Sequence, residues 1–190
     1  MEYIGVISFG IAFEFIQRMV VGMPEVIDMC YRHKLLKWEF ELDVDKWNSL
    51  DPDVKEIISD GWLMVKYMND EGTGLNKDIE SLPEDKGGIY SFVLKPELIP
   101  GYHIYIMYIG RARRKKEFSL KKRCKTYLKD NRLEIERMRK LLGSQLYLRY
   151  LPLEDDDLIE KVESELIRVI LPPCNSRYPD YNVLPEVPAF

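Results

Sequence analysis

Only two histidines and three cysteines occur in the 190 residues of this chain. His33 and His103 have no helical i, i+4 partner, so neither a His-based metal site nor a His-centred triad has a foundation here. Cys30, Cys124 and Cys174 are odd in number, widely spaced and without a CxxC pair, which argues against a zinc site or a redox couple and leaves reduced, partly buried thiols. Long apolar runs are also missing. The stretch from Ile4 to Phe13 is cut short by Glu14 and Arg18, and Glu2 stands where a secretory signal carries Lys or Arg, so a cytoplasmic protein is expected. There is no internal repeat and no low-complexity segment. What remains is the composition of a globular protein, 46% apolar, 12% aromatic and 32% charged.

The net charge of −4 conceals an uneven distribution. Between Arg111 and Lys140 there are 14 Lys or Arg against 4 Asp or Glu, a local +10; the other 160 residues carry 14 against 28, or −14. Such a segment suits either a phosphate-facing surface or a solvated basic helix balanced by the acidic remainder. Residues 1–86, with 9 basic against 18 acidic residues, are poorly suited to phosphate and better suited to protein contacts or dimerisation.

Residues 1–86 read as a mainly helical N-terminal region. Apolar spacing predicts helices over Phe9 to Val21 and Val26 to Leu36, a short strand over Leu36 to Leu42, and a helix from the Asp51-Pro52 start signal to about Met68. The polar, Gly-containing stretch Asn69 to Lys86 reads as a linker, which places a second domain at 87–190. There the pattern turns to strands. Gly88 to Leu94 and Tyr102 to Ile109 flank Pro96, Pro100 and Gly101 as a hairpin, followed by a helix from Ser119 to Lys129. A second helix should start at Asn131, with Glu134 as its reciprocal cap partner, and end at Gly143. A strand over Gln145 to Leu153 and a helix from Asp156 to Ile170, stopped by Pro172 and Pro173, complete the domain. This order implies an α+β fold, a small and mostly antiparallel sheet flanked by helices.

Two helices each carry a charge on the apolar side. Arg123 falls on the stripe marked by Leu120, Cys124, Tyr127 and Leu128. On the last helix Glu163 lies roughly 65° from the centre of the apolar arc, Glu165 roughly 95° and Glu160 further still. Either these two charges form a half-buried ion pair without chemistry, or they line a site.

The tripeptides Gly88-Ile89-Tyr90 and Tyr108-Ile109-Gly110, then Arg111, then Ser119 to Arg123 with Tyr127 four residues on, then Val162-Glu163 with Pro172 and Asn175 at ungapped spacing, resemble in their order the GIY-YIG nuclease family. The likeness covers about Gly88 to Asn175 and is greatest to the nuclease half of the bacterial excision-repair subunit UvrC; Tyr3-Ile4-Gly5 repeats one tripeptide as a chance match. The resemblance implies a metal-dependent DNA endonuclease of a restriction, defence or repair type, with Mg²⁺ or Mn²⁺ held by Glu163, the scissile phosphate clamped by Arg123, and Tyr90 or Tyr108 accepting the water proton with help from Arg111. Tyr127 completes the set, and Asn175 either braces the site or serves as a turn residue after the prolines. Arg111 stands where UvrC-like members often have Lys. The interval from Gly110 to Arg123 exceeds the family's usual spacing by about five residues, read as an inserted basic loop. Arg113, Arg114, Lys115, Lys116, Lys121 and Lys122 are the expected DNA contacts. The alternative is a catalytically silent nucleic-acid-binding or protein-docking module. Residues 1–86 are the material for a homodimer contact or a protein partner.

Overall fold

Alternate residues of strand β2 (Gly87–Leu94) enter two different cores, and this divides the molecule into layers. Tyr90 and Phe92 point to one face with Leu148 and Tyr150; Ile89 points to the other with Ile109. The computed structural model describes residues 38–96, 98–99, 104–114 and 118–179, all within the unit that begins at Trp38. The helices expected over 9–21 and 26–36, together with Tyr3, Cys30, His33, His103, Lys115 and Lys116, lie outside the described residues.

Four strands form one antiparallel sheet in the order β1-β4-β2-β3: β1 is Leu63–Lys66, β3 Tyr105–Ala112 and β4 Leu146–Leu153. The fold is therefore α+β with a small antiparallel sheet. On the first face lie α3 (Leu120–Thr126), a 3₁₀ turn (Tyr127–Lys129) and α4 (Leu133–Leu142), contributing Leu120, Cys124, Tyr127, Ile135 and Met138 to the core. The second face is covered by α5 (Asp156–Ile170) through Ile159, Val162, Leu166 and Ile167, joined by Val54 of α2 (Pro52–Ile57). A one-turn helix, α1 (Val44–Trp47), precedes α2. Among the described residues no helix is long and apolar enough to cross a membrane.

Several local expectations are corrected. The helix opened by Asp51, whose side chain accepts from the amides of Asp53 and Val54, ends at Ile57 rather than near Met68. Gly61 at φ 77° turns the chain, and residues 63–66 pair with β4, Leu63 opposite Tyr150; tertiary pairing overrides helical spacing. The sheet thus crosses the boundary drawn at residue 86. Residues 38–42 carry no regular structure where a strand was expected. The Asn131 cap does not form either. Asp130 instead accepts from the Arg132 amide at 3.0 Å in an Asx turn, and α4 begins two residues after Asn131, without a side-chain cap. By contrast Ser119 caps α3, and Asp155 caps α5 by accepting from Asp157 and Leu158. Leu171 in the left-handed region, followed by Pro172 and Pro173, stops α5.

Candidate active site

Antiparallel pairing of β2 and β3 sets Tyr90 opposite Gly110 and Phe92 opposite Tyr108. Gly110 is required by close approach, since a Cβ there would lie 2.7 Å from the Tyr90 hydroxyl. Regular alternation puts Tyr108, two residues from Gly110, on the same face as Tyr90; register shifts only beyond it, between Phe92 and Val93, and the extra residue Met107 enters the same core. From across that face the 3₁₀ turn presents Tyr127, so three phenols meet. The Tyr90 and Tyr127 hydroxyls are 2.7 Å apart, and Tyr127 donates to Tyr108 at 3.0 Å.

Arg123 donates from Nε to Tyr90 at 3.3 Å and from Nη2 to Tyr127 at 3.2 Å. The polar residue on the apolar stripe of α3 thus faces phenol oxygens. A hydroxyl has one hydrogen and guanidinium nitrogens only donate, so the bond from Tyr127 to Tyr108 sets the order of the cluster. Tyr127 gives its hydrogen to Tyr108, Tyr90 must give its own to Tyr127, and Tyr108 ends the chain. Burial pushes the Tyr90 phenol well above its usual pKa, with the neighbouring phenols adding to it and Arg123 opposing; burial also raises that of Tyr127. A fully buried Tyr90 whose proton is held this tightly is poorly placed to accept another.

Arg111 leaves β3 on the opposite face and reaches α5. Its Nη1 lies 3.0 Å from Glu163 Oε2 and its Nη2 3.2 Å from Glu160. Among the described ion pairs Glu163 is therefore matched with Arg111, and no direct pair joins Glu163 to Arg123. Because β3 is an edge strand, side chains from both faces of the sheet can reach a common space beyond it. Tyr108, Arg111 and Glu163 line a cavity of about 580 Å³ together with Tyr90, Arg113, Phe118 and Arg123. The same three line an adjoining cavity of about 670 Å³ that extends to Arg132, Asn175 and Arg177. The Glu163 side chain is 19% exposed. Burial raises its carboxyl pKa above the ordinary value while Arg111 pulls it down. Glu165, two residues on, belongs to another face, paired with Arg168 at 2.6 Å and accepting from the Asp51 amide.

Asn175 binds the edge of β3 as a neighbouring strand would. Its Nδ2 donates to the Ile109 carbonyl at 2.9 Å, and its Oδ1 accepts from the Ile109 amide at 3.0 Å. It thus holds the backbone between Tyr108 and Gly110 and is more than a turn residue.

All seven expected catalytic positions, Tyr90, Tyr108, Arg111, Arg123, Tyr127, Glu163 and Asn175, are gathered within this region. The expected DNA contacts divide. Arg113 lines the cavity, 3.5 Å from Glu160. The side chains of Arg114 and Lys122 are exposed, away from the lining. Lys121 corrects the expectation: it is buried, donates to the Glu80 carbonyl at 2.8 Å and pairs with Glu84 at 2.7 Å, so its charge is spent on structure. Arg132 belongs to the local charge excess, and no motif or periodicity singles it out. It lines the cavity with its guanidinium 5.6 Å from the ring centroids of both Tyr108 and Tyr127.

No protein-family model, curated protein or solved structure matches the chain.

Proposed function

We propose that the chain is a divalent-metal-dependent endonuclease of the GIY-YIG type that hydrolyses DNA phosphodiesters beside Tyr108, Arg123 and Glu163. The observation that carries this reading is the meeting of one half-buried carboxylate, Arg111, Arg123 and the terminal acceptor of a phenol chain around a single cavity. Phosphodiester hydrolysis needs an activated water, compensation of charge developing on the phosphoryl oxygens, and a held cation.

Arg123 is the clamp for that charge, because its fork is fixed by two phenol oxygens on one side and borders the cavity on the other. Tyr108 is the proton acceptor for the attacking water. Tyr127 donates a hydrogen bond to its oxygen, and Arg111 adds positive charge to the same cavity wall. Water oxygen bonds to phosphorus as the P–O3′ bond breaks, leaving a 5′-phosphate and a 3′-hydroxyl.

The donor set suits Mg²⁺ or Mn²⁺, hard ions that keep several waters and need few protein carboxylates. Glu163 would hold the ion; among the described residues no group of three or more His, Cys, Asp or Glu stands together, so water and phosphate oxygens would complete the shell. Bound there, the ion would supply charge neutralisation at the phosphate. Arg111, 3.0 Å from the same carboxylate, orients it and keeps it ionised against the cost of burial.

The test is incubation of the full chain with duplex, nicked, branched and single-stranded DNA in Mg²⁺, Mn²⁺ or EDTA. Metal-dependent cleavage of at least one form is expected. Binding without cleavage under every metal condition would instead assign the chain to silent nucleic-acid-binding modules.

A further inference from the structure

Asp130 and Arg132 flank Asn131 in the connection between the 3₁₀ turn and α4, outside the tripeptides, the basic loop and the Glu163 helix. Asp130 uses both carboxylate oxygens on Arg132: Oδ1 accepts from the backbone amide at 3.0 Å and from Nε at 3.1 Å, and Oδ2 from Nε at 3.1 Å and Nη2 at 2.7 Å. Arg132 occupies the N-cap position of α4, yet its side chain is turned to the cavity rather than to the helix. Its guanidinium stands over Tyr108 and Tyr127, the last two members of the phenol chain, while Arg123 holds the first two from the other end. A planar cation fixed at one edge by a carboxylate and set against two aromatic rings restrains both rings and places positive charge beside the terminal phenol.

We propose that Arg132, locked by Asp130, is a positioning residue that fixes Tyr108 relative to Tyr127 and the cavity, so that proton acceptance from water occurs in one geometry. This rests on the nuclease reading. The Arg132 side chain is 44% exposed and that of Asp130 16%, and a pair so placed adds little to folding, so its effect belongs in turnover. Because the fork is already engaged by Asp130, Arg132 acts through the tyrosines and not as a phosphate contact.

The experiment is steady-state cleavage of a duplex oligonucleotide in Mg²⁺ by wild type, Arg132→Ala, Arg132→Lys, Asp130→Asn and the Asp130→Asn/Arg132→Ala double variant. Binding in EDTA, by fluorescence anisotropy across a salt series, and thermal midpoints are recorded for each. Arg132→Ala should lower kcat about 100-fold, as misplacement of a reacting group does, with KM, Kd and salt slope unchanged. Arg132→Lys keeps the charge without the fork and should not restore kcat. Asp130→Asn should fall in the same direction, and the double variant should be no worse than Arg132→Ala, because the two act as one unit. Turnover within about threefold of wild type in Arg132→Ala, against the tenfold steps by which transition-state losses are counted, would overturn the inference. So would weaker binding and a flatter salt slope with kcat intact, the signature of a phosphate contact. Should Arg132→Ala fail to fold, Arg132→Lys and Asp130→Asn decide by the same readouts. An inactive wild type removes the nuclease reading and this inference together, whereas an active wild type with unimpaired variants removes the inference alone.

Discussion

Tyr127 donates its hydroxyl hydrogen to Tyr108 across 3.0 Å, and this bond gives the buried phenol cluster a direction. Tyr90 and Arg123 feed Tyr127 from behind, so Tyr108 is the member that gives no hydrogen to another phenol of the cluster, and it borders the cavity. The two tyrosines of the motif strands are therefore not equivalent.

Their separation can be measured. Tyr108→Phe should reduce cleavage about 100-fold or more by removing the proton acceptor. Tyr90→Phe should cost about 1 kcal/mol of stability through loss of a hydrogen bond and leave most activity in place. Cleavage rates and urea midpoints for both variants check this, and a larger loss of cleavage in Tyr90→Phe reverses the assignment.

Glu163 and Glu165 supply a second contrast. Glu163→Gln should lower cleavage by at least about 100-fold through loss of the metal-holding charge, with no fall in the thermal midpoint, since Arg111 keeps Glu160 at 3.2 Å. Glu165→Gln should weaken the Arg168 pair and the Asp51 hydrogen bond, lowering stability by about 1 kcal/mol while sparing cleavage. Loss of activity at Glu165 with Glu163 spared would move the site to the other face of α5.

The raised pKa of Glu163 has a thermodynamic consequence whose sign is fixed. A carboxyl that holds its proton more tightly when folded favours the folded state at low pH and loses that advantage as pH rises from its ordinary pKa through its raised one. The thermal midpoint of Glu163→Gln minus that of wild type should therefore grow across this interval. Added Mg²⁺ at neutral pH should raise the wild-type midpoint and leave that of Glu163→Gln unmoved. A midpoint shift of equal size in both proteins would remove Glu163 as the metal ligand.

The basic segment should contribute binding. Replacing Arg113, Arg114, Lys115 and Lys116 together by Ala should weaken DNA affinity and reduce the salt slope by about one unit for each phosphate no longer neutralised. Lys121→Ala should instead lower the thermal midpoint and leave the slope unchanged, because its partners are Glu80 and Glu84. Anisotropy titrations across a salt series separate the two.

Local chemistry determined much of this protein from the sequence alone. Helix α5 begins and ends where the Asp155 cap and the paired prolines dictate, and Arg123 and Glu163 could be singled out because a charge on an apolar stripe is costly without a purpose. The motif strands were legible too, since β-branched and aromatic residues bounded by turn residues have few other uses. Tertiary structure decided who meets whom. Residues 63–66 left the expected helix because Gly61 turned them onto β4, and Lys121 left the expected DNA surface because two glutamates from a preceding turn captured it. Glu163 took Arg111 rather than Arg123 as its partner because β3 lies at the sheet edge with its two faces looking to different helices. Arg132 could not be read in advance for the same reason: a surface arginine in a basic segment acquires meaning only when folding sets it over two tyrosine rings.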